Sequence, residues 1–176
     1  TSGKIIKSDG TNWVASTETY AAPSTSGNVM TSDGTNWTSA TASGYALNMI
    51  QPGTFNPADA TTYFVGVLST GWETVATTAT TQLVVPKTGT VRQVYGRVVC
   101  TAGSSNSVTL ILRLNNTSDT TITSSSNWSS SPIAFNATGL SVAVTAGDFL
   151  QLKITTPTWN PTNPTAVFVT WSVYIT

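Results

Sequence analysis

This 176-residue sequence has seven carboxylates and one thiol, two kinds of side chain that often act in catalysis. The chain has no histidine, so the commonest general base and a usual zinc ligand are both missing. Cys100 has no recognisable activating neighbour. Glycoside hydrolysis requires two carboxyl groups about 5–10 Å apart, and no acidic pair is evident. The acidic residues are Asp9, Glu18, Asp33, Asp59, Glu73, Asp119 and Asp148. We expect no enzymatic activity, no metal site and no cofactor.

Three tryptophans in polar stretches predict binding instead of catalysis. They are Trp72 in STGWET, Trp128 in SSSNWSSSP and Trp159 in PTWNPTNPT. Flat rings can stack on sugar faces while neighbouring amides and hydroxyls bond the sugar hydroxyls. The longer polar loops favour Trp128 and Trp159, together with Asn127 and Asn160, as contacts for a glycan. The alternative is that each tryptophan closes an end of the fold or packs between subunits, with its indole N–H satisfied locally.

Low charge limits the partners of this chain. Charged residues make up 8% of the sequence, and seven basic residues balance seven acidic ones, whereas about 25% is typical. Such a surface has no field to hold phosphate backbones or an anionic membrane, so we expect no nucleic-acid partner. No apolar run reaches membrane-spanning length and no leader opens the chain, so no membrane insertion is expected. The start at Thr1 predicts either a processed product or a fragment.

A repeat is the clearest pattern in the sequence. SGKIIKSDGTNW (residues 2–13) recurs as SGNVMTSDGTNW (residues 26–37), with eight of twelve positions identical at a spacing of 24. In each copy an apolar pair precedes Asp-Gly, and a tryptophan follows. Asp-Gly between extended residues is a strong hairpin signal, because both residues tolerate positive φ. Residues 1–43 therefore predict a stalk of two β-hairpins.

These hairpins are too small to be stable alone. Each has about one tryptophan and two aliphatic residues, and an isolated hairpin is marginal in water. The same segment of sister chains is the nearest source of partners. We therefore expect an oligomer interface at Ile5, Trp13, Val29 and Trp37, although the sequence does not fix the number of chains.

The rest of the sequence predicts a linker and then a head. Residues 44–60 lack periodicity and contain four Gly or Pro residues, which favours a linker with one helical turn near Ala46–Ile50. Period-two alternation then recurs over residues 61–176, as in Val108, Leu110, Leu112 and Leu114. Eight or nine short strands in this length are typical of a two-sheet sandwich. The predicted fold class is all-β: a jelly-roll-like β-sandwich head preceded by a short β-hairpin repeat stalk.

Two segments carry a resemblance to known proteins. The paired S-G-x-[VI]-[IM]-x-S-D-G-T-N-W units resemble short repeats of phage tail fibres and related virion appendage proteins. The stretch LSVAVTAGDFLQLKI, Leu140 to Ile154, is similar to the penultimate strands of tumour-necrosis-factor-like and other trimeric jelly-roll heads.

The resemblance implies a homotrimer on the outer, extracellular face of a virion, in a tail or head fibre. The stalk would contact other virion proteins, and the head would recognise a host cell-surface glycan. Two alternatives stay open: a capsid decoration or head-fibre protein without a ligand of its own, and a secreted bacterial adhesin module.

Overall fold

The computed structural model describes residues 4–17, 19, 28–32, 34–41, 43–68, 71–101, 106–128 and 132–176. The chain divides into two units, residues 1–44 and residues 45–176. Antiparallel strands dominate both units, and the described part contains a single short 3-10 helix, Ala79–Thr81.

Each repeat forms a β-hairpin, which confirms the prediction from the duplicated motif. The strands of the first unit are β1 (Ile6–Ser8), β2 (Trp13–Ala15), β3 (Asn28–Ser32) and β4 (Trp37–Thr41). β1 pairs with β2 so that Ser8 lies opposite Trp13, and β3 pairs with β4 so that Ser32 lies opposite Trp37. The strands of the two hairpins therefore pair at corresponding positions of the repeat.

The hairpin turn is longer than the two-residue turn that Asp-Gly predicts. Four residues, 9–12, connect Ser8 to Trp13, and of the first two only Gly10 has a positive φ, at 97°. Asp9 acts through its carboxylate, which accepts the backbone N–H of Asn12 at 2.7 Å and of Thr11 at 2.9 Å. These hydrogen bonds hold the pKa of Asp9 below its ordinary value. Asp33, its equivalent in the second repeat, lies outside the described residues.

The described residues of the second unit form nine strands. They are β5 (Tyr45–Ile50), β6 (Thr62–Phe64), β7 (Leu83–Val84), β8 (Gly89–Val99), β9 (Ser107–Leu114), β10 (Ser118–Asn127), β11 (Ile133–Val144), β12 (Phe149–Thr155) and β13 (Phe168–Ile175). One sheet has the order β11-β8-β13-β5. The other has the order β10-β9-β12-β6, and the two-residue β7 also pairs with β12.

The strand pairing is that of a jelly roll. If β7 is set aside, the first strand of this unit pairs with the last, β5 with β13, and the second pairs with the second to last, β6 with β12. The same nesting continues inward with β8 beside β11 and β9 beside β10. This doubled-over arrangement confirms the predicted all-β sandwich.

The core lies between the two sheets and follows the alternation of the strands. Fully buried side chains come from one face of β9 and β12 and from the facing side of β8 and β13: Val108, Leu110, Leu112, Leu150, Leu152, Ile154, Val94, Val98, Val169, Trp171, Val173 and Ile175. Gly96 interrupts the inward row of β8, and a Cβ there would collide with the Phe135 ring and with the Thr170 carbonyl. The missing side chain lets Phe135 pack across β8.

The predicted linker over residues 44–60 is wrong for much of its length, as is its helical turn. Tyr45–Ile50 is the edge strand β5, paired with β13 from Tyr45–Ile175 to Ile50–Thr170. Burial alternates along it, with Tyr45, Leu47 and Met49 turned towards the core. Ala, Leu and Met favour helices in isolation, and pairing with a strand more than 110 residues later overrides that local preference. The head therefore begins at Tyr45.

Candidate functional site

Four connections of the head lie at one end of the sandwich, which we call the loop end. They join β5 to β6, β8 to β9, β10 to β11 and β12 to β13. Tyr45, the first residue of this unit, lies at the other end, opposite Ile175. The loop end is thus the end of the head opposite to the first residue of this unit.

An aromatic cluster fills the loop end. Its members are Phe55, Tyr63, Trp72, Trp128 and Trp159. Phe55 stacks on Trp72 with ring centroids 5.0 Å apart, and Trp72 meets Trp128 edge-on at 6.3 Å. Trp128 and Trp159 follow at 5.8 Å. Such contacts add to the apolar area that each ring buries, so the cluster closes this end of the core.

The structure corrects the predicted roles of Trp128 and Trp159. Trp128 is 0% exposed and its Nε1 donates to the hydroxyl of Ser126 at 3.0 Å. Trp159 is 5% exposed and its Nε1 donates to the carbonyl of Ala58 at 3.3 Å. A sugar can stack only on a ring face that solvent reaches, and neither ring offers one. The alternative stated for these residues, closure of the sandwich end with a local partner for the indole N–H, matches their environment.

The two asparagines predicted beside these tryptophans are exposed. Asn127 ends β10 opposite Ser107, and Asn160 donates its backbone N–H to Asn106 Oδ1 at 3.1 Å. The structure therefore separates the predicted quartet into two buried rings and two accessible amides.

A polar cleft opens beside Asn127, between the edge strands β10 and β11. Its volume is about 300 Å³. We use the name polar cleft for its lining residues, which are Thr123, Ser126, Asn127, Ile133, Ala134, Phe135 and Asn136. The sequence did not single out Thr123, Ser126 or Asn136, because only the pairing of distant strands brings them together.

The outer face of the four-stranded sheet carries a different surface. We call it the apolar sheet face and define it by four exposed side chains, Ile50, Tyr95, Val99 and Tyr174. A shallow groove of about 370 Å³ crosses it beside Ile50 and Tyr95. Arg97 is the charged residue in the groove lining. Tyr95 and Tyr174 occupy outward positions of β8 and β13, where alternation predicts polar side chains. This departure from the pattern is visible in the sequence.

The outer face of the five-stranded sheet is ionic by comparison. Asp119 on β10 accepts from Lys153 Nζ at 2.6 Å and from Arg113 Nη1 at 3.2 Å. The Arg113 guanidinium also lies 5.6 Å from the centre of the Phe64 ring. Asn115 and Asn116, both with positive φ, turn β9 into β10 and so place Arg113 opposite Asp119. This face of the head thus carries a cluster of one carboxylate and two cations.

The repeat hairpins expose apolar side chains on both faces. Alternation from the paired positions puts Ile6 on the side of Trp13, where they are 72% and 79% exposed, and Met30 on the side of Trp37. The other predicted interface residues, Ile5 and Val29, lie on the opposite side and are also exposed. The exposed fractions of these six side chains range from 38% for Trp37 to 79% for Trp13.

Cys100 is buried, and burial raises the pKa of its thiol, which disfavours the nucleophilic thiolate. Within the described ranges, no group of three or more His, Cys, Asp and Glu side chains is placed to hold a metal ion. The same residues include no helix of the length and apolar character that a membrane crossing requires.

No family model and no curated protein matches the sequence.

Proposed function

We propose that this chain is a non-enzymatic, trimer-forming component of a phage-like virion fibre, with a structural and a receptor-binding role. The exposure of Trp13 and Ile6 on one face of a two-stranded hairpin carries the proposal. The likeness of the duplicated motif to repeats of virion appendage proteins supplies the biological setting. The jelly-roll head provides the rigid platform that such a component needs.

The hairpin faces need partners for a physical reason. A two-stranded hairpin cannot bury its own apolar side chains, and burying a tryptophan stabilises a protein by about 25 cal/mol for each Å² removed from water. Both repeats present the same pattern in the same register, which suits a partner with the same repeat. Sister chains meet that condition, and their hairpins would share one apolar core.

The apolar sheet face gives the heads a second contact between sister chains. Hairpins that associate hold the attached heads at an effective concentration of about 1 mM or more. At that concentration a weakly apolar surface is enough for association, and interfaces between identical subunits are more apolar than the average surface. Arg97 is the single charge in the groove lining, so most of the groove that one copy presents to another is uncharged.

The receptor-binding part of the proposal rests on the loop end. It exposes the amides of Asn127 and Asn160, and the repeats join the head at the other end, at Tyr45. A fibre attached to other virion proteins through its N-terminal repeats would present these loops outward, on the extracellular side of a virion.

The burial of Trp128 and Trp159 favours one alternative, a capsid decoration or head-fibre protein without its own ligand. With both of these rings buried, the head has lost the feature that most directly indicated a sugar site. A glycan array separates the two roles, since a decoration protein leaves every glycan unbound.

Light scattering after size exclusion tests the assembly. We expect the parent protein to have the mass of three 18.4 kDa chains. The double variant Trp13→Ala/Trp37→Ala should lose that mass on dilution while the circular dichroism of the head persists. The control Leu68→Ala/Val84→Ala removes two exposed apolar side chains of the head and should keep it. A parent that stays a single chain at every concentration, or a double variant with the parent's mass, contradicts the proposal.

A further inference from the structure

The polar cleft lies where two sheet edges meet. β10 is the edge strand of the five-stranded sheet, and β11 is the edge strand of the four-stranded sheet. Edge strands present backbone N–H and C=O groups along one side. A cleft between two such edges offers hydrogen-bonding groups from the backbone as well as from side chains. Its volume, about 300 Å³, is at the lower end of small-ligand pockets, roughly 300–1,000 Å³.

β10 is irregular at the cleft. Its pairing with β9 shifts between Thr121 and Thr123 and again between Thr123 and Ser126. Each shift inserts an extra residue on β10, which is a β-bulge. Bulges bend a strand and change the direction of its side chains, and they occur often beside binding sites. Here they fall on the residues that line the cleft, Thr123 and Ser126.

The polar side chains that line the cleft are all uncharged. Ser126 is buried and lines the cleft, and its hydroxyl accepts from Trp128 Nε1 at 3.0 Å, so it keeps one O–H that can donate. Asn136 Oδ1 accepts from Gln93 Nε2 at 3.0 Å, which fixes the plane of the Asn136 amide. Asn127 and Thr123 add an amide and a hydroxyl.

This lining selects a class of ligand. An anionic ligand such as a phosphate, a sulfate or a sialic acid needs a cationic partner, and a metal ion needs carboxylates. The lining residues include neither. A neutral molecule with many hydroxyls matches amides and hydroxyls, because each ligand O–H both donates and accepts. Ile133 and Ala134 supply a small apolar part for the C–H side of a ring.

We propose that the polar cleft binds one or two units of a neutral saccharide, held by Thr123, Ser126, Asn127 and Asn136. The inference rests on the proposed receptor-binding role and names the ligand class and its location. It moves the binding site from the rings of Trp128 and Trp159 to the edge of the sandwich. Only Asn127 is shared with the site that the sequence predicts.

An array of neutral, sialylated and sulfated glycans tests the proposal on the full chain. We expect reproducible binding to neutral glycans, followed by titration of the free sugar by calorimetry. Asn136→Ala and Thr123→Val should each weaken binding about tenfold or more, the ratio that one lost hydrogen bond to a ligand can produce. Thr121→Val is the matched control for Thr123→Val, since it removes an exposed hydroxyl of β10 outside the cleft, and it should leave the affinity unchanged.

Three results would overturn the inference. They are a silent array, hits restricted to acidic glycans, and hits whose affinity falls in Thr121→Val but not in Thr123→Val. Each variant is checked for the parent's oligomeric mass and near-ultraviolet dichroism, so that a loss of folding is not counted as a loss of binding. A silent array with an intact trimer removes the saccharide site and leaves the assembly proposal standing, because light scattering tests that separately.

Discussion

The indole nitrogen of Trp72 donates a 2.8 Å hydrogen bond to Oε1 of Gln51, and both side chains are buried. The same oxygen accepts the backbone N–H of Val169, and Gln51 Nε2 donates to the carbonyl of Val167 at 3.4 Å. One amide thus joins three separate segments: the chain after β5, the stretch after β6 and the start of β13. A buried polar group is tolerated there because all of its partners are present.

Replacing Gln51 by leucine should strongly destabilise the head. The substitution keeps the volume but leaves two buried donors, Trp72 Nε1 and the backbone N–H of Val169, without their acceptor. Each such donor costs about 1–3 kcal/mol, so we expect the free energy of unfolding to fall by about 2 kcal/mol or more. Chemical denaturation followed by tryptophan fluorescence measures it. The control Gln82→Leu, at a part-exposed glutamine, should change stability by less than about 0.5 kcal/mol. Equal stabilities for the two variants would refute the role of Gln51.

Local pattern was enough to find the sandwich but not its first strand. Alternation located β9, β12 and β13, because a half-buried strand shows its period in sequence. A glycine at position 139 is expected to interrupt a strand. Gly139 instead lies in a β-bulge, with a φ of 69°, and strand β11 continues through it. Tyr45–Ile50 has residues that favour a helix, and only its distant partner β13 makes it a strand.

The candidate site was harder to predict for a related reason. A tryptophan among serines and asparagines reads as an exposed loop residue, and nothing local shows that Trp128 meets Trp72 and Trp159. The polar cleft depends on two bulges in β10 and on the approach of β11. Neither feature leaves a periodic signal, so amides and hydroxyls of the cleft look like ordinary surface residues.

Acid should weaken the turn between β11 and β12. The Asp148 carboxylate accepts from Asn115 Nδ2 at 2.8 Å and from the backbone N–H of Thr145 at 2.7 Å. These bonds lower the pKa of Asp148 from its ordinary value of 3.8. A carboxyl with a depressed folded pKa stabilises the protein above its unfolded pKa, and that stabilisation is lost as the pH falls through the folded pKa. Below pH 4 the parent should therefore lose stability.

The measurement for Asp148 is a proton titration by nuclear magnetic resonance, in which its midpoint should lie below 3.8. The variant Asp148→Asn keeps the shape and removes the charge, so its free energy of unfolding should depend less on pH between 5 and about 2 than that of the parent. A titration midpoint above 3.8, or parallel pH profiles for parent and variant, would contradict the role of these two hydrogen bonds.

Replacing Trp128 by alanine should lower the stability of the head and should not remove a direct contact to a ligand. Its ring is 0% exposed and contacts Trp72 and Trp159, so Trp128→Ala leaves a large cavity in the aromatic cluster. Such truncations cost about 3–5 kcal/mol. The control Trp13→Ala removes a ring that is 79% exposed and should leave the unfolding of the head unchanged. Both variants lose one indole, so tryptophan content is matched when denaturation is followed by far-ultraviolet dichroism. If Trp128→Ala unfolded at the parent's denaturant midpoint, the ring would have to be accessible in solution, and the stacking role first assigned to it would return.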